Sequence, residues 1–461
     1  MFCPDCRLQQ ERAGTRLAQQ RGVADMWGRK HRPADSDGTR VIVVGAGFAG
    51  LAATEALAGA GAQVMLIDRN VYSTFQPLLY QVATGGLNPG DVAYPVRAVT
   101  RAHGARFRLG ELTGIDAQAR RITLADGATF EYDYLILATG VSAAYFGVTG
   151  AAEHSLGLYT RRDAVALRDH IMARLERLDV AGAGKEVNFT VVGGGATGVE
   201  LAGALAELRG TALDAAFPEV DLASVHIRLV EQAPELLGPF HPALRDYARD
   251  QLQARGVEVR LDTAIREVTS DRVLLANGEE LPSDVTVWAA GVSAPTAAGG
   301  WGLPQGRGGR IMVGPDLRVQ GQDRVFALGD ISLVTGRPLP QLAQPALQMG
   351  RHAAAQVRRL AAGQPTAAFN YHDKGIMATI GRRSAVVELP HDLRIRGTLA
   401  WLAWLALHLV TLLGNRNRLS ALLNLSWRYL SWGHGGGVIV GDDPPPFMID
   451  GPLPVGTERS G

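Results

Sequence analysis

Residues 41–50 read VIVVGAGFAG, and this stretch restricts the fold more than any other. Four β-branched residues, Val41 to Val44, have the composition of a buried parallel strand. Gly45, Gly47 and Gly50 follow at G-x-G-x-x-G spacing, and an Ala-rich helix is expected to open at Leu51. A second apolar strand, QVMLID, ends on Asp68, 18 residues after Gly50. Each piece has a physical job in holding a dinucleotide. Gly45 permits the tight turn, Gly47 lets a pyrophosphate approach the backbone, and Gly50 lets helix and strand pack closely. The helix N-terminus offers N–H groups to phosphate, and the acid accepts from ribose hydroxyls.

The pattern then repeats. FTVVGGGATGVELAGALAEL places Gly193, Gly195 and Gly198 between a strand and a helix, and HIRLVEQ is the partner strand, ending on Glu231. The stretch LILATG, with Thr139 and Gly140, is matched by VTVWAAG, ending on Gly291. Gly45 to Gly140 spans 95 residues and Gly193 to Gly291 spans 98, so two similar units sit in tandem. Glu231 lies 33 residues after Gly198 rather than 18, and the excess reads as an insertion around Arg209–Ser224. The expected fold class is α/β: two tandem Rossmann-like dinucleotide-binding domains plus a C-terminal amphipathic membrane-binding helical segment. Residues 39–150 and 310–390 are expected to form one domain and residues 151–309 the other. Helices follow over 391–435. Residues 1–38 read as a flexible extension and 436–461 as a mobile tail.

Other segments carry weaker signals. The segment 73–97 lacks a regular period and reads as a long functional loop that covers the cofactor. DRVFALGD is a strand ending on Asp330. In QLAQPALQMGRHAAAQV, Pro345 suits the first turn of a helix and puts Gln344 at or near its cap. A formal net charge of +1 gives no reason to expect nucleic-acid binding. The two cysteines, Cys3 and Cys6, form a C-x-x-C with no second pair and no His at ligand spacing, which reads as a feature of a flexible arm ahead of zinc or a redox dithiol. No metal-binding motif stands out, and His408 in its apolar run reads as a packing or interface histidine.

The assembled pattern resembles the two-dinucleotide-fold flavoprotein oxidoreductases, and among them the type II NADH:quinone dehydrogenases. The resemblance runs over residues 40–432. It rests on FQPLLYQVATGG, GGGATGVELAGALAEL, the A-Q-x-A-x-Q of Ala343, Gln344, Ala346 and Gln348, Asp373-Lys374-Gly375, and the Trp-rich C-terminal segment. It implies non-covalent FAD in the first fold. Gly45, Gly47 and Gly50 would face its pyrophosphate, Asp68 its adenosine ribose and Asp330 its ribityl chain, with Thr139 and Gly140 beside it. The helix entered at Gln344 would point at the flavin pyrimidine, where its N-terminus suits the negative charge of reduced flavin. The second fold would hold NADH on Gly193, Gly195, Gly198, Glu231 and Gly291. Glu231 would repel a 2′-phosphate. Glu200 would sit near nicotinamide and flavin, against a plain helix-dipole role. Gln344 and Gln348, one helical turn apart, would face a quinone tunnel, and Lys374 would stabilise a quinone oxygen or deliver a proton. A solvated role competes for Gln348 and Lys374.

The implied partners are a membrane quinone and, through residues 398–432, the membrane surface on the cytoplasmic face. The run TLAWLAWLALHLVTLL is 16 residues, short of the roughly 20 needed to cross the hydrocarbon core. In the following helix Leu419, Leu422, Leu423, Trp427 and Leu430 share one face, and Ser420, Asn424, Arg428 and Ser431 share the other. That pattern suits a helix lying in the interface with its polar face in water. Packing on the body or a homodimer contact is the alternative. The rival functions are a soluble ferredoxin or rubredoxin reductase and a nucleotide-binding sensor with little turnover.

Overall fold

A computed structural model describes residues 38–181, 186–212 and 221–430. The extension with Cys3 and Cys6, the centre of the insertion at 213–220 and the tail at 436–461 lie outside the described residues. The chain opens with β1 (Arg40–Val44), α1 (Phe48–Ala58) and β2 (Gln63–Asp68), followed by β3 (Arg106–Leu109) and β4 (Tyr134–Leu137). The second unit runs through β5 (Ser155–Gly157), α2 (Arg161–Ala181), β6 (Val187–Val192), α3 (Ala196–Glu207), β7 (Val225–Val230), β8 (Val257–Arg260) and β9 (Val285–Trp288). The chain then returns with β10 (Val325–Ala327) and α4 (Ala343–Ala361). It ends in the hairpin strands β11 (Ile376–Gly381), β12 (Ser384–Leu389) and β13 (Leu393–Arg396), then α5 (Thr398–Thr411) and α6 (Asn415–Leu430).

Two five-stranded parallel sheets result, in the orders β10-β4-β1-β2-β3 and β5-β9-β6-β7-β8. The four strands of each repeat occupy equivalent places. Only the outermost strand differs: the first sheet takes it from late in the chain, the second from just ahead of its repeat. Strands β4, β6 and β9 are buried along their whole length, as parallel strands covered on both faces must be. Both glycine helices start directly after the second glycine of their motif, so α1 opens at Phe48, three residues earlier than its sequence suggests.

The segment 73–97 is not a loop. Phe75, Leu78, Leu79, Tyr80, Val82, Ala83, Leu87 and Val92 are all buried. Four of them, Leu79, Tyr80, Val82 and Ala83, lie on a short helix, Leu79–Ala83, and the segment is bracketed by the paired strands Tyr72–Thr74 and Ala93–Pro95. Its apolar residues follow no single period because they pack in several directions at once. The domain division is also finer than the sequence reading. Strands β11 and β12 join the hydrophobic cluster of the second sheet, together with α5 and α6. The contact is close: a methyl on Gly203 of α3 would stand 2.3 Å from the Ile380 carbonyl oxygen.

Candidate active site

The two glycine loops have matching geometry. Gly45 and Gly193 adopt φ of +107° and +109°, values that L side chains avoid. A methyl on Gly50 or Gly198 would stand 1.8 Å from the carbonyl oxygen of Gly45 or Gly193. Helix and loop are in direct contact there. By contrast, Gly47 and Gly195 have nothing within 4 Å of the Cβ position. They are the N-caps of α1 and α3, and neither end carries a side-chain cap. Each fold thus presents an uncapped helix N-terminus beneath open space, a cradle for a pyrophosphate.

The acid in each fold grips its loop. Asp68 accepts from the Ala46 N–H at 2.6 Å and the Asn70 N–H at 2.7 Å. Glu231 accepts from the Gly194 N–H, and from the Ala233 N–H at 2.7 Å. Burial raises the pKa of Asp68, and its backbone donors work against that rise.

Around the first fold, the Thr139 hydroxyl is buried with no protein partner. Such a group calls for a ligand acceptor or donor. Tyr159 donates to Asp330 Oδ2 at 3.4 Å, and a methyl on Gly140 would sit 3.3 Å from the same phenol oxygen. Arg310 donates to the Asp330 carbonyl oxygen at 2.9 Å and to that of Ser332. Burial pushes Asp330 up to about 6, with Arg310 pulling the other way. The N-terminus of α4 also lacks a side-chain cap; Gln344 is its second residue and Pro345 its third. These residues fit a flavin dinucleotide: open space at the glycine, an orphan hydroxyl, and a helix end beside a half-buried acid. Neither Tyr159 nor Arg310 belongs to any sequence motif. Distant segments bring them to Asp330.

A chain of aromatic rings starts at the head of α1. Phe48, the first residue of α1, meets Phe75 edge-on at 5.8 Å. Phe75 meets His408 at 6.1 Å, and His408 stacks on Trp404 at 4.1 Å. Trp404 lies 6.0 Å from Tyr80, whose hydroxyl accepts from Gln81 at 3.0 Å. Glu200 is at this end, in the first turns of α3. Its Oε1 accepts from the Thr379 N–H at 3.4 Å. Burial pushes its carboxyl up to about 8, eased by Thr379 and by the Trp404 side chain. At pH 7 Glu200 is therefore mostly a neutral acid. His408 shows the opposite effect: burial holds it down at about 4, and its Nδ1 donates to the Trp404 carbonyl oxygen at 2.7 Å. Tyr80, Trp404 and His408 are absent from the sequence-based set of site residues.

Gln348 turns both amide atoms to one backbone unit. Its Nε2 donates to the His372 carbonyl at 2.9 Å and its Oε1 accepts from the His372 N–H at 3.0 Å. Lys374 is exposed in the same segment, two residues on and just ahead of β11. Gln348 thus holds the backbone that carries Lys374, while Gln344 stays at the head of α4. Among the described residues, no group of three or more His, Cys, Asp or Glu side chains is placed to hold a metal ion.

Residues 39–350 match the family model described as pyridine nucleotide-disulphide oxidoreductase. The type II NADH:quinone oxidoreductase NdhA of Mycobacterium tuberculosis is 39% identical over 83% of this chain and 85% of its own length. The Ndh enzyme of the same organism, also named a type II NADH:quinone oxidoreductase, is 36% identical over 86% of this chain and 89% of its own. The chain belongs to the type II NADH:quinone oxidoreductase family. The solved structure of NDH2 from Plasmodium falciparum in complex with NADH superposes with a TM-score of 0.80 at 18% identity. It covers 86% of this chain and 99% of the other, and so bears on the fold. Family membership also explains why a chain matching a disulphide-oxidoreductase model has no cysteine beyond position 6: a type II enzyme passes its electrons to a quinone.

Proposed function

We propose that this type II enzyme carries a hydride from NADH to FAD and two electrons on to a membrane quinone, without proton pumping, while lying on the membrane surface. The observation that carries the two-nucleotide reading is the duplicated loop. Each fold has an uncapped helix N-terminus under open space and an acid that holds the loop in shape. Bound FAD supplies the chemistry of accepting a hydride and releasing electrons in pairs. The protein's part is placement.

In the first fold Gly47 and the α1 N-terminus receive the FAD pyrophosphate, Asp68 faces the adenosine ribose, and Asp330 the ribityl chain. Tyr159 and Arg310 hold Asp330, Thr139 and Gly140 line the cofactor, and the α4 N-terminus at Gln344 offers its positive end to the ring system. In the second fold Gly195 and the α3 N-terminus receive the NADH pyrophosphate, and Glu231 the adenosine ribose. Glu200 holds a proton at neutral pH beneath Trp404, ready for a quinone oxygen. Gln348 positions the segment whose Lys374 offers a cation to the same oxygen.

The membrane reading is supported by the orientation of α6, whose apolar face points outward as that reading needs, while its polar face meets the protein where the sequence suggested water. Ser420 and Asn424 each donate to a different carboxylate oxygen of Asp91 at 2.7 Å, and Asn417 donates to the Ala93 carbonyl at 2.8 Å. Ala421 and Leu425 are buried, while Leu419, Leu422, Leu423 and Trp427 face outward. Helix α5 buries Ala400, Trp401 and Trp404 and exposes Leu399, Leu402, Leu407 and Val410. Eight large apolar side chains on two adjacent helices far exceed the scattered exposure of an ordinary surface. Among the described residues no helix is long and apolar enough to cross a membrane. The helices lie on the cytoplasmic face, where NADH is made, and a homodimer through the same face is the competing arrangement.

The test compares acceptors in steady state. NADH oxidation by the purified yellow protein is expected to be fast with quinone and slow with a ferredoxin or oxygen. Preference for a ferredoxin, or negligible turnover with every acceptor, overturns the reading.

A further inference from the structure

Phe146 occupies an unusual place. It is 70% exposed, and its φ is +52°. The Val148 N–H bonds the Tyr145 carbonyl at 3.0 Å, and Gly147, the next residue, has φ of +74°. Residues 145–148 therefore form a tight turn with both central residues left-handed, the geometry that Gly, Asn and Asp dominate. A phenylalanine at the first central position is strained there.

The turn is firmly anchored. Ser142–Ala143 pairs with Val292–Ser293, and the Ala144 N–H bonds the Gly291 carbonyl at 3.0 Å. The Trp288 indole donates to the Ala144 carbonyl at 2.7 Å, and Tyr145 packs on Trp288 at 5.7 Å. Such anchoring fixes where the Phe146 ring goes. It lies against Gly291, where a methyl would stand 2.6 Å from its Cζ.

Gly291 lies just past the C-terminal end of β9, beside the crevice of the second fold. A methyl on Gly193 would stand 2.6 Å from the Ala289 and Ala290 backbone, so the glycine loop and this strand end touch. A dinucleotide lies across the strand ends at the point where the sheet order reverses. Here β6 supplies the pyrophosphate loop and β7 supplies Glu231 for the adenosine ribose. The other half of the molecule, the nicotinamide riboside, must extend over β9. Phe146 stands on that side.

We infer that Phe146 is a contact residue for the nicotinamide half of NADH, its apolar ring covering that half over Gly291 and helping to hold it for hydride transfer. The inference rests on the reading that the second fold holds NADH. An aromatic face suits a planar ring, and strain at an exposed position has a functional explanation where it has no folding one.

The test uses the full-length flavoprotein and two ligands. One is NADH, with its apparent Kd taken from the saturation of flavin-reduction rates. The other is ADP-ribose, which lacks the nicotinamide, with its inhibition constant measured against NADH. Phe146→Ala is expected to raise the NADH Kd about tenfold, the scale of one aromatic contact, and to leave the ADP-ribose constant unchanged. Phe146→Tyr restores NADH binding. Phe146→Gly separates binding from folding: it relieves the left-handed strain, so Tm rises while NADH binding weakens. An NADH Kd within twofold of wild type in Phe146→Ala overturns the proposal, as does an equal rise for both ligands. Failure of ADP-ribose to compete with NADH in the wild type overturns the underlying nucleotide assignment as well.

Discussion

Asp68 and Glu231 each brace a glycine loop through backbone N–H groups, and in the proposed function each also faces a ribose. For Glu231 the second job decides the donor, because a 2′-phosphate would meet a carboxylate. NADH is expected to exceed NADPH in kcat/KM, and Glu231→Gln to shrink that preference about tenfold or more. Paired steady-state assays with both donors check it; a wild type that prefers NADPH contradicts it. Glu200 gives a pH signature. Its folded pKa of about 8 stands above the ordinary 4.5, so the native state binds the extra proton between those values. Stability from this group is therefore full at acid pH and is lost as pH rises through 8. Thermal melts across pH 5–9 are expected to show Glu200→Gln gaining on wild type toward the alkaline end. Quinone-driven flavin reoxidation should fall above about pH 8 in wild type and stay flat in the variant. Gln348→Ala frees the His372 backbone and so should slow reoxidation by quinone in stopped flow while leaving reduction by NADH near wild type. A loss confined to the NADH step contradicts that role. At this scale the glycines and acids are legible because their jobs are local in sequence. Tyr159, Arg310, Tyr80 and Trp404 are not, because the Tyr159–Asp330 bond joins residues 171 apart and no spacing announces it.

Helix α6 shows an element whose two faces are legible in the sequence while the partner of its polar face is not. The amphipathic pattern is real, but Asp91, 329 residues from Ser420 in sequence, claims the polar face. A pattern gives two faces, and only the fold says whether the polar one meets water or protein. The same partner dictates the experiment. Cutting the chain after His391, the boundary the sequence suggests, would strip β13 and pull Trp404 out of the core. Surface substitutions avoid that damage. Changing Leu419, Leu422, Leu423 and Trp427 together to Ser should abolish flotation with liposomes and activity with a long-chain quinone. FAD binding and activity with a short soluble quinone should survive. Persistent flotation would place the anchor elsewhere, and a loss of self-association in its place would favour the dimer. Asp91→Ala removes an acceptor for two side-chain donors, at about 1.5–3 kcal/mol per charge-assisted bond. It is expected to loosen α6 and lower Tm.

Over the whole molecule, the repeat seen in the sequence reappears as two sheets of the same order. One inherits β10 and the acid Asp330 that follows it, and the other is joined by β11, β12 and the apolar helices. The regrouping of the last strands was not legible, since β11 and β12 carry no signal for which core they join until Gly203 lets α3 approach. The arrangement puts the two nucleotide cradles in one unit and the neutral acid Glu200 under the helices that face outward. Its central claim is that two half-reactions run in sequence on one flavin. Anaerobic stopped flow on the full-length protein tests it most directly. NADH should bleach the flavin absorbance, and a short-chain quinone should restore it, each at a rate no slower than steady-state turnover. Flavin that NADH leaves oxidised, or reduced flavin that quinone reoxidises more slowly than turnover, would contradict the account.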